Sequence, residues 1–66
     1  MKTKSIGEKL IALRGNRSQA EVATGIGVST AAVGMYERNE RIPKDQIKMR
    51  IADYFGVPVQ EIFYAE

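Results

Sequence analysis

The chain has 66 residues, 44% of them hydrophobic and 27% charged, with ten Lys+Arg against eight Asp+Glu for a formal net charge of +2. That length holds one domain, spanning residues 1–66, and a domain of this size buries only about 60% of its unfolded surface. With neither Cys nor His present, disulfide staples, thiolate nucleophiles, zinc-finger ligands and the usual general base are excluded together.

Ser5-Ile6-Gly7-Glu8 has capping-box spacing, and Ile6, Leu10 and Leu13 recur at i, i+4 and i+7. Together they predict an amphipathic helix that stops near Arg14, because Gly15-Asn16 is a turn signal. A second capping box, Ser18-Gln19-Ala20-Glu21, predicts a short helix with Val22, Ala23 and Ile26 inward, closed at Gly27 by a left-handed residue. Ser29 is the expected N-cap of a third helix running to about Arg38, with Asn39 closing it. Pro43 breaks the chain before a fourth helix that starts near Lys44 or Asp45, carries Ile47, Ile51, Tyr54 and Phe55 inward, and ends at Gly56. A last short helix is expected around Val59 to Tyr64. Five helices with no period-2 alternation predict an all-α domain. No run of about 18 apolar residues could span a bilayer, and the Ser5–Leu13 stretch is too amphipathic for a signal-peptide core.

The second and third helices, joined by a Gly-containing turn, have the proportions of a helix-turn-helix. Ala23 is small enough for the third helix to approach, Gly27 tolerates positive φ, and Val28, Val33 and Tyr36 supply apolar anchors. At about 100° per residue, Val33 and Tyr36 mark the buried side of the third helix. Thr30, Ala31, Gly34, Met35 and Arg38 then fall on the opposite side. In a helix-turn-helix that side enters the major groove, while the N-terminus of the preceding helix faces phosphate. Charge is unevenly placed: residues 1–50 hold all ten basic side chains and a net +5, whereas residues 51–66 hold three acids, no basic residue and a net −3. The apolar Tyr54, Phe55, Ile62, Phe63 and Tyr64 at that acidic end are suited to core closure and self-association.

Ser-Gln-Ala-Glu-Val-Ala at 18–23, Gly-Val-Ser at 27–29, Tyr-Glu-Arg at 36–38 and Arg-Ile-Pro at 41–43 resemble the Cro/repressor-type helix-turn-helix (XRE) family. Ile-Ala-Asp-Tyr-Phe-Gly-Val at 51–57 and Glu-Ile-Phe at 61–63 extend the resemblance over nearly the whole chain. It implies a compact five-helix, repressor-like domain that binds double-stranded operator DNA as a homodimer on a pseudo-palindromic site. It implies base reading by Thr30, Ala31, Gly34 and Met35, and phosphate contact by Gln19, Ser29, Arg38, Asn39, Arg41 and Lys44. It also implies a pair between Arg14 and Glu37, and a cytoplasmic protein of bacterial or phage origin. The turn at Gly15-Asn16-Arg17 is about two residues shorter than the common family spacing. The reading face is poor in hydrogen-bonding side chains, with Thr30 its clear polar reader.

The expected role is therefore that of a transcriptional regulator, a repressor before an activator. The alternative is an antitoxin or regulatory adaptor that works through protein–protein contact. No enzymatic activity is expected, since the eight carboxylates form no paired constellation. No cofactor, metal, small-molecule ligand or membrane partner is expected, nor is a ligand-sensing domain.

Overall fold

The structure is a computed structural model and describes residues 4–64. Five helices follow in order: α1 (Ile6–Arg14), α2 (Gln19–Ile26), α3 (Thr30–Glu37), α4 (Asp45–Phe55) and α5 (Gln60–Tyr64), the last wound as a π-helix. There is no strand among the described residues.

Three of the starts have a serine cap as their local cause. At α1 the capping box is complete, since Glu8 N–H donates to Ser5 Oγ and Ser5 N–H donates to the Glu8 carboxylate. The box expected at Ser18 is half formed. Ser18 Oγ accepts from Glu21 N–H, but the Glu21 side chain stays in solvent and returns no bond. Ser29 caps α3 by accepting from Ala32 N–H. Lys44 occupies the N-cap of α4 without a side-chain cap, leaving the first amides of that helix open.

Three helix ends share one closure. Gly27, Asn39 and Gly56 adopt positive φ of 89°, 61° and 69°. The amide of the following residue then donates back to the carbonyl five positions earlier: Val28 to Ala23, Glu40 to Met35, Val57 to Ala52. This 6→1 bond satisfies carbonyls that a helix end would otherwise leave open.

The core gathers Leu10 from α1, Val22, Ala23 and Ile26 from α2, Val33 and Tyr36 from α3, Ile51 and Ala52 from α4, and Ile62 and Phe63 from α5. Ile51 and Ile62, each 1% exposed, lie at its centre. Ile47, Tyr54 and Phe55, expected inward on α4, are half-buried and pack around that centre, and Ala52 joins them. Helix α3 packs against both α1 and α2, while α5 closes over α1 and α4 supports α2. The α2–α3 pair is thereby held from behind, with one side of α3 facing out.

Candidate nucleic-acid interface

The interface is organised around one buried charge. Glu37, at the end of α3, is 7% exposed. Arg14 of α1 reaches it with two donors, Nε to Oε2 at 2.6 Å and Nη2 to Oε1 at 3.1 Å, while Arg14 Nη1 donates to the Arg17 carbonyl at 2.9 Å. Gln19 Nε2, from the first turn of α2, donates to Glu37 Oε1 at 2.9 Å. A bidentate guanidinium and an amide thus tie α1, α2 and α3 together. The hydrogen bond from Arg14 to Glu37 raises the arginine pKa further above its ordinary value. No buried side-chain N or O among the described residues lacks a partner.

This triad places Gln19 at the mouth of α2, half-buried, with one amide hydrogen committed to Glu37 and the other available. Residue spacing offered no sign of that duty, because 18 residues separate the partners. Across the turn, Ser29 is exposed. Its Oγ accepts the cap bond from Ala32, so its hydroxyl hydrogen is left to donate. Thr30 and Ala31 follow on the open side of α3, both exposed, and Met35 is half-buried one turn later. Gly34, expected open, is instead buried. The reason is Arg38, whose guanidinium lies against it.

After α3 the basic residues divide. Arg38 pairs with Glu40, Nε to Oε2 at 3.0 Å and Nη2 to Oε1 at 3.2 Å. That hydrogen bond, and then the arginine charge, hold the Glu40 carboxyl below its ordinary range. Asn39 turns inward: its Oδ1 accepts from Gly7 N–H at 2.9 Å and its Nδ2 donates to Ser5 Oγ at 3.1 Å, pinning the loop to the start of α1. Its side chain is therefore committed within the fold. Arg41 and Lys44 are exposed, and their side chains make no hydrogen bond or ion pair among the described residues. Sequence reasoning missed Glu40, for which the Arg-x-Glu step across a helix end is the available signal. It also missed Arg50 of α4, whose Nη1 would lie 3.3 Å from a Cβ at Gly27 in the turn.

Other cations are taken up elsewhere. Arg17 sits 5.5 Å from the Tyr54 ring centre and 5.6 Å from that of Phe55. Lys48 lies 4.8 Å from the Tyr64 ring centre and donates to its Oη at 3.2 Å. Ile62 and Phe63 of the acidic end close the core, leaving Tyr64 as the exposed aromatic there.

The sequence profile of the helix-turn-helix family matches residues 9–62. A curated relative, the cryptic phage CTXphi transcriptional repressor RstR of Vibrio cholerae, is 38% identical over 45 residues, which is 68% of this chain. The match spans 40% of that relative's length. The crystal structure of the P22 c2 repressor protein, in complex with synthetic operator 9T in the presence of Tl+, matches with a TM-score of 0.91 at 23% identity. It covers 97% of this chain and 100% of that one, a likeness of fold.

Proposed function

The chain belongs to the helix-turn-helix family of the Cro/repressor (XRE) type, and on that premise we propose that it is a sequence-specific DNA-binding transcriptional repressor. It acts in the cytoplasm as a homodimer on a pseudo-palindromic operator. Two copies of α3 enter successive major grooves about 34 Å apart, and bound protein blocks polymerase sterically. The observation that carries this reading is the outward face of α3: Thr30 and Ala31 are open at its N-terminal end, at a capped start, and unengaged basic side chains follow in the loop after the helix.

Roles follow from chemistry. The Ser29 hydroxyl, the second amide hydrogen of Gln19 and the open amides at the start of α2 are donors suited to phosphate oxygens. Arg41, and Lys44 beside the uncapped start of α4, add charge to that contact. Asn39 serves by fixing the loop that carries them. Thr30 reads by hydrogen bond, while Ala31 and Met35 offer apolar contact to thymine methyls. With Gly34 covered, much of the remaining discrimination falls to DNA shape.

Selection of bound sites from random duplex DNA at near-physiological salt tests this. Thr30→Ala is expected to relax preference at one position of each half-site, and Arg41→Ala to weaken all sites alike. A wild-type protein that enriches no sequence would refute the proposal.

A further inference from the structure

The reading face of α3 lacks a side chain that can make two parallel hydrogen bonds to one base, yet such a group stands directly beside it. We infer that Arg38, through the end-on edge of its guanidinium, is a guanine reader in the major groove rather than a phosphate contact. The inference rests on the DNA-binding role proposed above and adds a base to its readout.

Thr30, Gly34 and Arg38 form one i, i+4, i+8 ridge along α3. Helical side chains lean toward the N-terminus and cover the preceding turn. Arg38 does this over a residue that has no side chain. The atoms nearest to where a Gly34 Cβ would stand are Arg38 Nη1 at 3.0 Å, Cζ at 3.8 Å and Nη2 at 3.9 Å. The guanidinium takes up the space that a side chain at 34 would reach into, one turn after Thr30 on the same ridge.

Glu40 fixes its rotation. The carboxylate engages Nε and Nη2, the side-on edge of the guanidinium. The end-on edge, made of Nη1 and the second hydrogen of Nη2, makes no hydrogen bond among the described residues, with Nη1 resting against Gly34. That edge presents two parallel donors, which match the adjacent O6 and N7 acceptors of guanine; no other base offers such a pair in the major groove.

The same geometry argues against phosphate. A carboxylate 3.0 Å from the guanidinium offsets its charge and would lie close to a phosphate oxygen bound there. What the pair loses as a counter-charge it keeps as a directional donor. Both partners are more than half exposed, so the pair adds little stability. Its effect is orientation.

The experiment is site selection from random DNA with the wild type, Arg38→Ala, Arg38→Lys and Gly34→Ala, each checked for an unchanged fold by circular dichroism. The wild type is expected to require guanine at one fixed position of each half-site. Arg38→Ala and Arg38→Lys should both lose that preference by roughly 5- to 150-fold while leaving other positions intact, since lysine keeps the charge but not the fork. Gly34→Ala should weaken it by less than Arg38→Ala does, because the guanidinium must yield by a few tenths of an ångström to the new Cβ, although melting temperature holds or rises. 7-Deazaguanine at that position should weaken the wild type and not Arg38→Ala. Uniform weakening of all sequences by Arg38→Ala, rescued by Arg38→Lys, would make Arg38 a phosphate contact and overturn the inference alone. A wild type that selects no site would overturn the DNA-binding reading and this inference with it.

Discussion

Glu37 and Glu40 stand three residues apart and show opposite uses of a carboxylate. Glu37 is nearly dry, so its value depends on its donors: its side chain is 5% exposed against 22% for Arg14. Removing Arg14 strands a buried charge, whereas removing Glu37 leaves a cation that can turn to water. Arg14→Ala should therefore cost about 3–5 kcal/mol, most of what a domain this small has, and Glu37→Gln clearly less. Urea denaturation checks the ordering, and equal losses would mean that Glu37 reaches water. Glu40 is exposed and its pair is a matter of orientation. Because Arg38 depresses its pKa, the pair is intact at neutral pH and is lost as pH falls through the lowered midpoint. A carbon-detected NMR titration should place Glu40 below the ordinary glutamate range in the wild type and return it to that range in Arg38→Ala. A midpoint indifferent to Arg38 would show that the pair does not persist in solution.

Where the elements begin and end was largely legible in the residues, because caps and left-handed closures are local events. Ser5, Ser29, Gly27, Asn39 and Gly56 all do what their neighbours predict. What local reasoning lacked was anything joined across the chain. Asn39 was readable as a left-handed residue but not as the clamp on Gly7 and Ser5, 32 and 34 positions away. Gly34 was placed on the open side by helical angle alone, which cannot see a long side chain folding back from the next turn. The helix with its open side was recognisable; its covering arginine was not. Asn39 separates the two kinds of information by experiment. Asn39→Gly keeps the positive φ and loses the clamp, while Asn39→Ala loses both, so the alanine variant should be less stable by a further ~1 kcal/mol. Indistinguishable urea midpoints would mean that the clamp alone matters. Gly25 is a matching case between helices: a Cβ there would run into the Tyr54 ring of α4. Gly25→Ala should destabilise despite its better helix propensity, and Tyr54→Leu in the same chain should recover part of the loss.

A whole-chain charge of +2 hides a basic stretch over residues 1–50 and an acidic one over residues 51–66. The structure sorts that charge further. Arg14 and Arg38 are bound to carboxylates, Arg17 and Lys48 rest on aromatic rings, and Lys9 donates to carbonyls of α5. Arg41 and Lys44, in the loop between α3 and α4, keep their charge uncommitted among the described residues. A domain with so few groups for phosphate can cover only a half-site, and this makes stoichiometry measurable through salt. If three or four phosphates are neutralised per subunit, a dimer on its operator should show a log–log salt slope of about −5 to −7, against about −3 for one subunit. Arg41→Ala, applied to both subunits at once, should reduce the magnitude of the slope by about 1.8 in a dimer and about 0.9 in a monomer. Binding titrations on a full operator, with the mass of the complex read by sedimentation, give both numbers from the same samples. A slope near −3, reduced by about 0.9 in the variant and accompanied by a one-to-one complex, would refute the dimer while leaving the reading helix in place.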